Sequence, residues 1–149
     1  MNWKLILLLS PFGVAMAFAT VFGLPRSIEM LLWLIIFVIY AILIVKNAEG
    51  KYFLHGFLVS VVNGVWIGII HSAFFSTYIA NNPGMMESYQ KMPQFLSPQV
   101  MMLLVGPIVG AVTGVIAGVF SLIAANVMKK SKQQATPSEQ GFLASIVHS

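Results

Sequence analysis

Two histidines and one asparagine, His55, Asn63 and His71, share one long apolar stretch at a spacing of eight residues. Inside a membrane a histidine can carry a proton or ligate a metal, and an amide can bind a solute or bridge helices. Eight residues turn an α-helix by about 80° beyond two full turns, so His55 and His71 lie roughly 160° apart around the axis. Such a separation excludes one metal or haem held by both from the same helix. Together with Thr113 the three residues make a candidate polar path. The plainer expectation is that the histidines bond to neighbouring helices or headgroups, and that Asn63 is interhelical glue.

The remaining chemistry is set by absences. The chain has no Asp and no Cys, and its four glutamates (Glu29, Glu49, Glu87, Glu139) fall in loops, at helix ends or in the tail. Proton-coupled exporters of the small multidrug type need a buried carboxylate, and acid-class intramembrane proteases need a pair. Thiol oxidoreductases and thiolate metal sites need cysteine. Met85, Met86, Met92, Met101 and Met102 cluster in sequence. Thioethers handle copper, yet no His or Cys accompanies them, and Met is an ordinary apolar filler. No nucleophile–base pair is evident, so neither enzyme, cofactor nor metal is expected. Trp3, Tyr40, Trp66 and Tyr78 call for no special role; Trp3 and Tyr78 fall where an interfacial aromatic belt would lie.

The elements that position these residues follow from composition. At 58% hydrophobic and 8% charged the chain is far from the soluble norm of about 25% charged, and its mean hydropathy is +0.89. Long uncharged runs predict an all-α membrane protein with four spans, at about 3–23, 28–45, 53–80 and 99–128, and a tail over 131–149. A secretory signal is the alternative for the first span, because Ala15-Met16-Ala17 resembles a cleavage site. The apolar run continues past it, which favours a retained span, kinked at Pro11. Ser27 is the expected N-cap of the second span, with Glu29 in its first turn. The third span is the longest, about 42 Å if unbroken, and would have to tilt or protrude.

Small residues recur every four positions on the last two spans. Gly56, Ser60, Gly64, Gly68 and Ser72, continued by Ser76 and Ala80, form one row; Gly106, Gly110, Gly114 and Gly118 form the other. Four-residue steps hold each row to one narrow stripe, and such stripes let two backbones approach closely in lipid. The expectation is that span four packs on span three within the chain. A seam between copies, around a pore or substrate path, is the alternative.

Four spans place both termini on one side, together with Lys4, Lys46, Lys51, Lys129, Lys130 and Lys132, against Arg26 and Lys91 opposite. The positive-inside rule then makes the termini cytoplasmic. Topology also accounts for the formal charge of +4 without nucleic acid. Lys46, Lys51, Lys129, Lys130 and Lys132 are candidates for holding anionic lipid. Between spans three and four, Met85, Tyr89 and Met92 fit a short interfacial helix between Pro83 and Pro93. In the tail, Thr136-Pro137-Ser138-Glu139 reads as a helix start, with Phe142, Leu143, Ile146 and Val147 on one face of a short amphipathic helix.

Phe53-Leu54-His55-Gly56-Phe57 and Tyr78-Ile79-Ala80-Asn81-Asn82-Pro83, with the first helix containing Ser10-Pro11-Phe12-Gly13 and the Lys-flanked second, carry a resemblance. Over residues 1 to about 130 the chain resembles small bacterial four-helix integral membrane proteins of uncharacterised activity. The resemblance implies an architecture and no functional residues. The reading is an up-down-up-down bundle in the bacterial cytoplasmic (inner) membrane. It would act without catalysis through helix–helix association, as a homo-oligomer or with another membrane protein. An oligomeric channel or transporter is the alternative.

Overall fold

The computed structural model describes residues 1–91 and 95–147, with side chains described for 1–91, 95–131 and 133. Its elements are α1 (Trp3–Leu9), α2 (Pro11–Val21), α3 (Arg26–Asn47), α4 (Tyr52–Ala73), α5 (Phe75–Asn81), α6 (Pro83–Gln90) and α7 (Pro98–Val147). Among the described residues, four segments are long and apolar enough to cross a membrane: Trp3–Val21, Arg26–Asn47, Tyr52–Ala73 and Pro98–Ser131.

The first crossing consists of two helices, a full break where a kink is expected. Pro11 has no N–H to continue the ladder. The Leu7 carbonyl is met instead by Ser10, through its N–H at 3.3 Å and its hydroxyl at 2.8 Å. The Gly13 N–H turns to the Ser10 carbonyl at 3.0 Å. The Leu9 carbonyl is thereby freed for a partner on another helix.

Three other boundaries differ from the sequence reading. Helix α3 starts at Arg26, so Ser27 lies inside it and makes no capping bond. Pro25 has extended backbone, and its carbonyl takes the N–H groups of Ile28 and Glu29 at 3.0 and 2.9 Å, which begins the helix without a side-chain cap. The third crossing ends at Ala73. Phe74 breaks it at φ −104°, ψ 31°, and α5 continues as a separate helix. Ser76 and Ala80 therefore leave the small-residue row. The break also removes the excess length, since 22 residues span about 33 Å. Finally, α7 runs unbroken from Pro98 to Val147, with no separate tail helix. Nothing between Lys129 and Ala135 stops a helix: the run has neither Gly nor Pro, and Lys, Gln and Ala propagate it. Side chains of the expected amphipathic face, from Phe142 to Val147, lie outside those described. The short helix expected after Pro83 is α6; Met92 lies outside the described residues.

Helix α4 is the centre of the bundle. It packs against α1, α2, α3 and α5, and most extensively against α7, which also packs on α3. One core cluster joins Leu5, Ile6, Leu9, Phe37, Tyr40, Ile44, Val59 and Ala117. A second, towards the α5 end, joins Ala17, Val21, Ile70, Tyr78 and Met102.

Candidate functional site

Helix α4 presents one face to α7 and another to the broken first crossing. On the α7 face the small residues meet in antiparallel register. Gly56 faces Ala117 and Ser121, Gly64 faces Gly106 and Gly110, and Gly68 faces Met102 and Gly106. Gly110 lies against the Ser60 carbonyl, and Gly114 and Gly118 lie against Phe57 and Phe53. The approach is closest at Gly64 and Gly106, where a Cβ on either would run into the other's carbonyl oxygen. Ser72 is half-buried, one turn beyond Gly68. Thr113 belongs to this face: its hydroxyl donates to the Val109 carbonyl at 2.8 Å and sits 2.9 Å from the Ser60 hydroxyl, which donates to it.

The other face holds Asn63 in mid-span, 1% exposed. Its Nδ2 donates to the Tyr40 hydroxyl at 2.7 Å, and that hydroxyl donates to the freed Leu9 carbonyl at 3.2 Å. Phe12 packs edge-on against Tyr40, ring centroids 5.6 Å apart. Gly13 makes room for the amide, since a Cβ there would stand 2.6 Å from Asn63 Oδ1 and 2.7 Å from its Cβ. Asn63 Oδ1 is buried and has no hydrogen-bond partner. Three of the four long apolar segments thus meet at one short polar chain, which takes up the buried carbonyl that the break at Ser10 leaves free.

The two histidines sit at opposite ends of the first crossing. His55 is buried; its Nε2 accepts from the Asn2 backbone N–H at 3.0 Å, and its Nδ1–H donates to the Lys51 carbonyl at 3.0 Å. Those two partners define a neutral imidazole with both nitrogens used. His71 is half-buried, stacked on Tyr78 at 4.1 Å between centroids, with Nε2 2.7 Å from the Thr20 hydroxyl. Because that hydroxyl donates to the Ala17 carbonyl at 2.9 Å, the His71 Nε2–H is the donor between them. Beside it, Asn81 and Asn82 donate to the Val21 and Thr20 carbonyls at 3.0 and 2.9 Å. These bonds satisfy the open end of α2 and hold α5 against it.

His55, Asn63, His71 and Thr113 are therefore not brought together; each is committed to a different neighbour. Among the described residues, no three His, Cys, Asp or Glu side chains gather as a metal group. Lys46, Lys51, Lys129 and Lys130 are exposed. The Lys129 ammonium lies 5.7 Å from the centre of the Tyr52 ring, which places the α7 lysines beside the start of α4. The Lys132 side chain lies outside those described. The sequence reading gave no role to Tyr40, Gly13 or Thr20. Tyr40 carried a signal, since a phenol in the run Val38-Ile39-Tyr40-Ala41-Ile42 must find a partner for its hydroxyl in lipid. Comparison with protein-family models, curated proteins and solved structures finds no match.

Proposed function

We propose that this chain is a non-enzymatic, multi-pass protein of the bacterial cytoplasmic membrane that acts by associating with another membrane chain, as a homo-oligomer or an accessory subunit. In this reading the spans run up-down-up-down with both termini cytoplasmic, as the lysine distribution favours. The supporting observation is where the polar groups of the spans go. Asn63, Tyr40, His55, His71, Thr20, Ser60 and Thr113 bond between or within helices, and both small-residue rows face each other. Apolar surface is left on α3 and on α7 up to Ser131, whose apolar windows are only 28% and 22% buried. Lipid covers such surface equally well, so association has to be measured in the membrane. The lysines at the cytoplasmic end would hold anionic lipid, each worth about 1 kcal/mol.

The chain has no cysteine, so single cysteines at exposed Leu34, Ile108 or Val112 report directly. Cross-linking in native membranes should give one discrete larger species at one of these positions. Equal, weak capture of many proteins at all three positions overturns the reading. The channel or transporter alternative draws on the unpartnered Asn63 Oδ1 in mid-span. Solute or ion flux in proteoliposomes that Asn63→Leu abolishes would favour it.

A further inference from the structure

A depression of about 440 Å³ opens between the start of α1 and the turn joining α3 to α4. Met1, Asn2, Asn47, Glu49, Gly50, Lys51 and His55 line it. It lies between the end of one crossing at Asn47 and the start of the next at Tyr52, the level of lipid headgroups if the membrane reading holds. We propose that it is a phospholipid headgroup site selective for phosphoethanolamine, the zwitterionic headgroup that carries a primary ammonium.

Three observations carry this. First, the volume suits a small polar ligand, within the roughly 300–1,000 Å³ of ordinary ligand clefts. Second, the walls are fixed in advance. His55 joins the Asn2 N–H to the Lys51 carbonyl, and the Asn2 side chain donates to the Asn47 carbonyl at 3.4 Å. The turn itself holds Gly50 at φ +148° and Lys51 at φ +51°, the latter a left-handed conformation that side chains other than Gly rarely adopt. Third, the lining carries both signs of charge two residues apart. The Lys51 ammonium matches the phosphodiester, and the Glu49 carboxylate matches the ligand ammonium, a charge-assisted bond that needs N–H donors. Phosphocholine has no N–H to give. Phosphoglycerol offers Glu49 only neutral hydroxyls, without the opposite charge of an ammonium. The selectivity therefore differs from that of Lys46, Lys129 and Lys130, which favour anionic lipid.

The test uses delipidated full-length protein in detergent, titrated with palmitoyl-oleoyl phosphatidylethanolamine, phosphatidylcholine or phosphatidylglycerol, with adducts counted by native mass spectrometry. One saturable adduct should form with phosphatidylethanolamine in preference to phosphatidylcholine. Glu49→Gln, at an exposed position that leaves the fold unchanged, should reduce that preference by roughly two- to fivefold, the scale of one exposed ion pair. Phosphatidylglycerol adducts, held by the other lysines, should not fall. Equal binding of the ethanolamine and choline lipids overturns the proposal, as does an unchanged preference in Glu49→Gln. Saturable binding of phosphatidylglycerol alone would also overturn it, while leaving the membrane reading intact. Binding of none of the three would count against both.

Discussion

Replacing Gly64 by Ala is the sharpest single perturbation of the α4–α7 contact. The added Cβ would run into the Gly106 carbonyl oxygen and stand 2.8 Å from Gly110 Cα and 3.0 Å from its nitrogen. Carbon atoms pack at about 3.5–4.0 Å, so the two backbones must part locally by roughly 1 Å. Such a gap forfeits about a third of each dispersion contact. If on the order of 30 atom pairs at about 0.15 kcal/mol are affected, the loss is ~1.5 kcal/mol, within the usual range of overpacking costs. In a chain of this size that lowers the midpoint of thermal unfolding by about 3 to 6 °C. Near-ultraviolet circular dichroism or a thiol-free dye assay in mild detergent reads it. Gly84→Ala is the control, because a Cβ there meets nothing within 4 Å. A Gly64→Ala midpoint equal to that of Gly84→Ala would refute the close approach.

Three further outcomes follow from the geometry. Tyr40→Phe should cost about 1 kcal/mol, because it leaves the Leu9 carbonyl and the Asn63 amide unpartnered, and chemical unfolding in detergent measures it. Gly13→Ala should destabilise strongly alone and much less in an Asn63→Gly background, which removes the Cβ as well as the amide; a double-mutant cycle should give a coupling of about 1–2 kcal/mol, and additivity would mean that the two do not touch. Single cysteines at Ser88 and Gln133 should label from opposite faces of sealed vesicles, Gln133 from the cytoplasmic side, and labelling from the same face would break the four-span arrangement.

Much of this architecture is legible in the sequence because lipid leaves few choices. Uncharged runs of about 20 residues have to be helices. The four-residue recurrence of Gly56 to Gly68 and of Gly106 to Gly118 already aligns one face of each helix. What the sequence hides is set by single bonds between distant residues. The break at Phe74 accompanies the bonds of Asn81 and Asn82 to the end of α2, and no local pattern announces them. Nor does the pairing of Asn63 with Tyr40 follow from spacing, since it depends on where Pro11 frees a carbonyl. His55 and His71 look alike in sequence, yet one anchors the start of the first crossing and the other its end. The candidate site was the harder part for this reason: polar residues were visible, but not whether they meet.

The central structural claim is that the two small-residue rows meet inside one chain. Ser60 and Thr113, whose hydroxyl oxygens are 2.9 Å apart across the contact, allow it to be tested by one measurement. In this cysteine-free chain, Ser60→Cys with Thr113→Cys is oxidised in native membranes and run without reductant, with tagged and untagged copies co-expressed. The account predicts a cross-linked monomer whose mobility shifts on reduction. A covalent dimer containing both tagged and untagged chains would place the rows between copies and contradict it.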